Sequence, residues 1–258
     1  MPAVVLVHGS GGLRNEREGF WGRELVSAGI AVLAIDSFTP RGISSTVADQ
    51  SRIKTSQMVL DAFGALAYLA KLPAIDANRV AVMGMSRGGA VALQSADERA
   101  APPGALRFAA HIPLYPGCTT QYRAPRMRKP ILMLIGANDD YTGVKSCEAY
   151  VERIRASGGS VELKIYEGAH HDFDTSSEPT MWLARAQNFR DCVIYIEDDG
   201  RATLAGTGEL IPLDDPGTAI GILRRTCLRM GATIGYNAQA RARALEDVKT
   251  FIKTQMNK

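Results

Sequence analysis

Six apolar runs, each closed by turn-forming residues, recur along this chain: AVVLVHG (3–9), IAVLAIDS (30–37), RVAVMGM (79–85), RFAAHIPLYPG (107–117), PILMLIGAND (130–139) and VELKIYEGAH (161–170). Runs of this kind read as strands buried on both faces, as in a parallel sheet. Between them lie segments of helical periodicity, near 15–28, 55–71, 87–98 and 145–156, and a last one near 237–256 sets apolar positions against a charged face. Parallel strands need crossover connections, which helices supply. The expected fold class is therefore α/β, a mostly parallel central sheet with helices on both faces.

A chain of 258 residues with 46% hydrophobic content can build one sizeable core, so one domain over 1–258 is expected. The stretch 174–235 departs from the alternation. It is rich in turn formers, apart from CVIYIEDDGRATLA, which reads as a short hairpin around Asp199-Gly200, and we take it as an insertion before the final helix. The formal net charge of +3 is interspersed and aromatics are only 7%, which excludes a basic stripe with stacking rings for nucleic acid. No apolar run approaches the roughly 20 residues that span a bilayer, and no basic and apolar leader opens the chain. The partner expected is a small molecule, not nucleic acid or membrane. Cys118, Cys147, Cys192 and Cys227 show no Cys-x-x-Cys and no histidine at ligand spacing, so no metal site is expected. Pairing of Cys118 with Cys147 and of Cys192 with Cys227 is one of three connectivities, and buried free thiols are an equally ordinary outcome.

The chemistry concentrates in VAVMGMSRGGAVAL (80–93), where a strand meets a glycine corner and then a helix-favouring segment. Gly84-x-Ser86-x-Gly88 is the spacing of a strained strand-to-helix turn, whose small neighbours let a serine oxygen project at the carboxyl end of a sheet. A serine hydroxyl needs a base, and the base needs a carboxylate to orient it. Of four histidines, His8 and His111 fall in strands, whereas His170 and His171 follow the last strand in YEGAHHDFD. Asp139 and Asp140 end the preceding strand, giving the chain order serine, aspartate, histidine. The bland alternative is a turn at 139–140 and a solvated histidine loop. An oxyanion would be met by the backbone N–H of Arg87 and by one from HGSGG (8–12), at Ser10 or Gly11. A dinucleotide site is not indicated, because the position three after Gly11 is Arg14 and G-x-G-x-x-G is absent there.

VVLVHGSGG, DSFTPRG, GMSRGG, YPGC, IGANDDYTG and GAHHDFD together resemble the dienelactone hydrolase family of α/β-hydrolases, in the family's order and over most of the chain. The resemblance implies an α/β-hydrolase fold and carboxylic-ester hydrolysis through an acyl-enzyme, which needs no cofactor. Its G-x-x-D motif after Gly136 places the acid at Asp139, and G-A-x-H-x-F places the base at His171, leaving Asp140 and His170 as neighbours. Two features depart from the family. Members acting on dienelactones typically carry a cysteine where this chain has Ser86, so a general esterase is expected rather than lactone specificity. The chain also starts almost at the first core strand, without the antiparallel strands usual before it. Either the sheet is shortened or an upstream piece exists, with an export leader that would suit the even cysteine count. Arg41 in TPRG is a candidate for a substrate carboxylate, although capping a loop or meeting Asp36 is the favoured role. Tyr115 and Tyr141, with Trp21 and Trp182, are candidate pocket walls, and RAPRMRK (123–129) reads as a solvated face. The expected function is a serine esterase; a thioesterase or peptidase with the same triad, and a non-catalytic binding protein on this fold, are the alternatives.

Overall fold

Alternation within the first run decides how the two faces of the sheet are covered. In the computed structural model, which describes residues 1–177 and 179–256, strand β1 (Ala3–Val7) is buried throughout. Ala3, Val5 and Val7 enter one apolar cluster, and Val4 and Leu6 enter another across the sheet. The elements that follow are α1 (Glu18–Ser27), β2 (Ala31–Ile35), α2 (Thr55–Leu69), β3 (Val80–Met85), α3 (Arg87–Gln94), β4 (His111–Leu114), β5 (Thr120–Tyr122), β6 (Ile131–Gly136), α4 (Val144–Ala156) and β7 (Val161–Tyr166). Met58, Ala62 and Leu66 of α2 pack with Val5 and Val82 on one face. Trp21 and Leu25 of α1 and Tyr150 and Ile154 of α4 pack with Leu6 and Met83 on the other.

The sheet has the order β2-β1-β3-β4-β6-β7 and every pairing in it is parallel. The expected α/β class and sheet are thus what the structure shows. The chain order reverses at β1, with β2 on one side and β3 on the other. Beyond the carboxyl ends of strands at such a switch point lies the crevice where open α/β sheets hold ligands. The loops after β1, β3, β6 and β7 all enter that crevice region, and they carry Ser10, Ser86, Asp139 and His171.

The stretch 174–235 contributes β8 (Met181–Trp182), β9 (Gln187–Asn188), β10 (Ile194–Ile196), β11 (Ala202–Leu204), α5 (Pro216–Thr226), β12 (Arg229–Met230) and β13 (Thr233–Ile234), before α6 (Ala238–Met256) closes the chain. The expected hairpin forms between β10 and β11, turning at Gly200 with φ 83°. β10 also adds in parallel to β5. Helix α5 is the element that turn-rich composition hid. Its start is nevertheless encoded: Asp215 accepts the Thr218 N–H at 3.1 Å, and Pro216 occupies the first helical position. Ile194, Leu204, Ile211, Ile222 and Leu223 form a small core of their own there. In α6, Ala240, Ala244, Val248, Ile252 and Met256 recur every fourth residue and face the sheet.

Cys118 pairs with Cys147 and Cys192 with Cys227, at sequence separations of 29 and 35. Closing loops of that length removes about 3–4 kcal/mol of unfolded-chain entropy for each bond in the chain-entropy model. The arginines of the basic run 123–129 lie at the surface, where Arg123, Arg126 and Arg128 meet Glu197, Asp198 and Glu98, while Met127 turns into the core. Among the described residues no helix is long and apolar enough to cross a membrane.

Candidate active site

Ser86 leaves β3 at φ 56°, ψ −113°, a left-handed backbone that a side chain tolerates only when its surroundings enforce it. Three glycines enforce it. A Cβ on Gly84 would fall on the carbonyl of Gly88, one on Gly88 would fall on the carbonyl of Val7, and one on Gly89 would lie 2.5 Å from Leu114 O. Backbone therefore packs directly on backbone around the corner, and α3 starts at the next residue, Arg87.

The serine meets its predicted partners. Ser86 Oγ–H donates to His171 Nε2 at 2.8 Å, and His171 Nδ1–H donates to Asp139 Oδ2 at 2.8 Å. The carboxylate fixes the tautomer, since it can only accept. Asp139 Oδ1 also accepts the N–H groups of Tyr141 at 2.9 Å and Thr142 at 2.8 Å, and Thr142 Oγ1 donates to Oδ2 at 2.8 Å. Burial alone would raise the Asp139 carboxyl, but the charge and hydrogen bond of His171 and the Thr142 donors outweigh it and hold the group below the usual carboxylate value. Burial likewise pulls His171 down, and the charge and hydrogen bond of Asp139 overcome that pull and raise it.

Gly9 brings the loop after β1 against the corner, so close that a Cβ there would lie 3.3 Å from Ser86 Cβ. Ser10 lines a cavity of about 220 Å³ that opens on Ser86, whereas Gly11 lies on the exposed side of the loop. The N–H of Arg87 is among those that the start of a helix leaves without an intrahelical acceptor. The cavity is walled by Tyr141 and Thr142 on one side and by Ile194, Ile220 and Leu223 of the 174–235 stretch on the other. It adjoins a second space of about 270 Å³ that shares Arg87, Ile194, Ile220 and Leu223.

Several expected side chains stand elsewhere. Arg41 is no part of either wall; its guanidinium grips Asp61 through two 2.8 Å bonds and caps the Ser37 carbonyl at 2.8 Å, while Asp36 accepts the Phe38 and Thr39 N–H groups. Tyr115 is a correction too. It is fully buried behind the histidine, its ring edge-on to His171 at 4.7 Å between centroids and its hydroxyl donating to Asp174. Trp21 is buried against Asp174 and Trp182 is largely exposed. Tyr141 does line the cavity. His170 is half-buried beside Asn138 O, and Asp140 accepts the Thr233 N–H at 2.7 Å and its hydroxyl at 2.9 Å, which ties the inserted stretch to the site. His8 and His111 are buried packing residues, the latter pushed down to about 4 by burial.

Two side chains at the site were not anticipated. Gln50 Nε2 donates to Ser10 Oγ at 3.0 Å, and the Arg87 guanidinium donates to the Gln50 side chain and to the Ile53 carbonyl. Burial pulls Arg87 down to about 10. Among the described residues no carboxylate lines the cavity.

A family model described as the dienelactone hydrolase family matches residues 1–256. A Bradyrhizobium protein named "Probable 2-oxo-3-(5-oxofuran-2-ylidene)propanoate lactonase" is 26% identical over 184 residues, covering 67% of this chain and 73% of that protein. Among solved structures, a dienelactone hydrolase-like promiscuous phosphotriesterase from metagenomic libraries superposes with a TM-score of 0.60 at 20% identity, over 99% of this chain and 87% of its own. A thermophilic esterase of Thermogutta terrifontis gives 0.51 at 18% identity, over 67% and 72% of the two chains.

Proposed function

Because the chain belongs to the dienelactone hydrolase family, we propose that it is a serine hydrolase that cleaves carboxylic esters through an acyl-enzyme. One observation carries this reading: the unbroken hydrogen-bond chain from Ser86 through His171 to Asp139, at the mouth of a cavity and at the sheet's switch point. Ser86 Oγ attacks the ester carbonyl while His171 Nε2 takes its proton. Asp139 stabilises the imidazolium. The oxyanion receives the N–H of Arg87 and that of Ser10, the member of the 10–11 pair that borders the cavity. Collapse expels the alkoxide, protonated by His171, and water activated by the same base hydrolyses the acyl-serine. The proposed route draws only on groups of the chain, the ester and water, and calls for no cofactor.

A lactone is an internal ester and passes through the same steps. The Bradyrhizobium relative bears a lactonase's name, and Arg87, with no carboxylate among the described residues lining the cavity, gives it a positive character that suits an acid-bearing lactone. Disulfides persist chiefly in oxidising compartments, so the two here support a reading in which the protein is exported.

The test is intact mass after incubation with a fluorophosphonate. We expect one adduct on the wild type and none on Ser86→Ala or His171→Ala. A folded wild type that takes no adduct, yet binds an ester tightly, would make this a binding protein instead. Parallel kinetics on ester, thioester and amide substrates then separate an esterase from a thioesterase or peptidase using the same groups.

A further inference from the structure

Directly behind His171 lies a cluster of charge that the hydrolytic steps leave unused. Arg17, at the head of α1, is 2% exposed. Its guanidinium donates to Asp172 Oδ1 at 2.7 Å and Glu18 Oε1 at 2.8 Å, and reaches Gly12 O at 3.4 Å. The Tyr115 hydroxyl lies 2.6 Å from Asp174 Oδ1 and 3.2 Å from Asp172 Oδ1, and Trp21 Nε1 donates to Asp174 Oδ2 at 2.6 Å. Arg14 stands 4.0 Å from the outer oxygen of Asp172. Glu18, Asp172 and Asp174 are all buried around this one buried guanidinium.

Burying ions costs several kcal/mol each, and well-packed apolar residues commonly serve stability as well or better. What the cluster joins indicates its use. Gly12 closes the turn that carries Ser10, its N–H donating to Gly9 O at 3.1 Å, Asp172 follows His171 directly, and Tyr115 follows β4 with its ring against the imidazole. Both Asp172, at φ 62°, and Tyr115, at φ 33°, are held in left-handed backbone, so the local geometry is enforced rather than relaxed. We propose that the Arg17–Asp172 pair is a positioning device: it locks the histidine loop to the oxyanion loop and fixes a negative charge beside the imidazole. Its effect on rate rests on the esterase reading above, whereas its effect on the charge of His171 does not.

The groups that face His171 are Ser86 from the head of α3, Asp139 and Tyr141 from the loop after β6, Tyr115 from the end of β4, Asp172 from its own loop and Arg17 from α1. Asp139 and Asp172 favour the imidazolium and Arg17 opposes it. Removing the last two must therefore move the histidine in opposite directions, an outcome that loosened packing alone does not produce.

The experiment is an NMR titration of the His171 imidazole, assigned among the four histidines with His171→Gln, in the wild type, Arg17→Met, Asp172→Asn and the double variant. Asparagine tolerates the left-handed backbone, so Asp172→Asn preserves the loop. We expect Asp172→Asn to titrate below the wild type, Arg17→Met above it and the double variant between them. On a p-nitrophenyl ester, kcat should fall about 10–100-fold in each single variant with KM little changed, as a misplaced reacting group demands, and Arg17→Lys should recover part of the loss. Should Arg17→Met not fold, Asp172→Asn decides the matter alone. His171 titrating identically in Asp172→Asn and the wild type, with kcat unchanged, overturns the proposal. Shifts of the expected sign in a protein that turns over no ester support the placed charge and overturn the esterase reading instead.

Discussion

Replacing Asp139 with asparagine tests the orientation of the base with little change of shape. Oδ1 would still accept the Tyr141 and Thr142 N–H groups, at 2.9 and 2.8 Å in the wild type. The amide nitrogen would then occupy the place of Oδ2, 2.8 Å from His171 Nδ1. An amide donor there makes Nδ1 the acceptor and moves the ring proton to Nε2, where it faces Ser86 and blocks proton abstraction. The loss expected for a base held in the wrong tautomer is about 10⁴-fold in kcat, which corresponds to about 5 kcal/mol of transition-state stabilisation. Steady-state hydrolysis of a p-nitrophenyl ester measures it, with circular dichroism confirming the fold. Asp140→Asn is the internal control, because Asp140 holds Thr233 and not the histidine. If Asp139→Asn kept kcat within tenfold of the wild type, or if Asp140→Asn lost as much, the assignment of the orienting carboxylate would be wrong.

Three further outcomes are expected. The base must be neutral to act, and the surroundings raise His171 above its ordinary 6.5, so kcat/KM should fall with decreasing pH through a midpoint above 6.5, and a pH–rate profile flat down to pH 5 would contradict this. Gly88→Ala would drive a methyl group into the Val7 carbonyl, and either loss of folded protein or loss of fluorophosphonate labelling should result; a labelled, wild-type-like variant would show the corner to be looser than described. Cys192→Ser with Cys227→Ser removes the closure over a separation of 35 residues, which returns that entropy to the unfolded chain and lowers stability by about 3–4 kcal/mol in that model. Because α5 supplies Ile220 and Leu223 to the cavity wall, KM should rise for long-chain esters and stay near wild type for acetyl esters, as parallel kinetics on the two would reveal.

Local chemistry was legible in the sequence where the constraint is local. Gly84, Gly88 and Gly89 advertise backbone contact around Ser86 because no other residue fits there, and the ends of the apolar runs place Asp139 and His171 at the same edge of the sheet. Long-range chemistry was not. Arg17 and Asp172 lie 155 positions apart, and nothing in NEREGFW marks its arginine as buried rather than as one more charge on a helix. Tyr115 was misread for a related reason: an aromatic after a strand end fits a cavity wall and the layer behind the histidine equally well, and only the partner Asp174 decides. Arg41 found Asp61 on α2 instead of a ligand, a pairing set by how α2 packs rather than by any motif. Helix α5 escaped because Gly217 and Gly221 dilute its periodicity, although Asp215-Pro216 was a readable start signal.

The small core of the 174–235 stretch separates two properties that most active sites tangle together. The four loops that carry Ser10, Ser86, Asp139 and His171 rise from the main sheet, whereas Ile194, Ile220 and Leu223 belong to a cluster with its own disulfide. Changes confined to that cluster can reshape what the cavity accepts while the reacting groups keep their supports. On the proposed esterase reading, selectivity is free to drift under mutation without dragging catalysis with it, and a library confined to 192–228 is expected to yield new substrates while fluorophosphonate still labels Ser86.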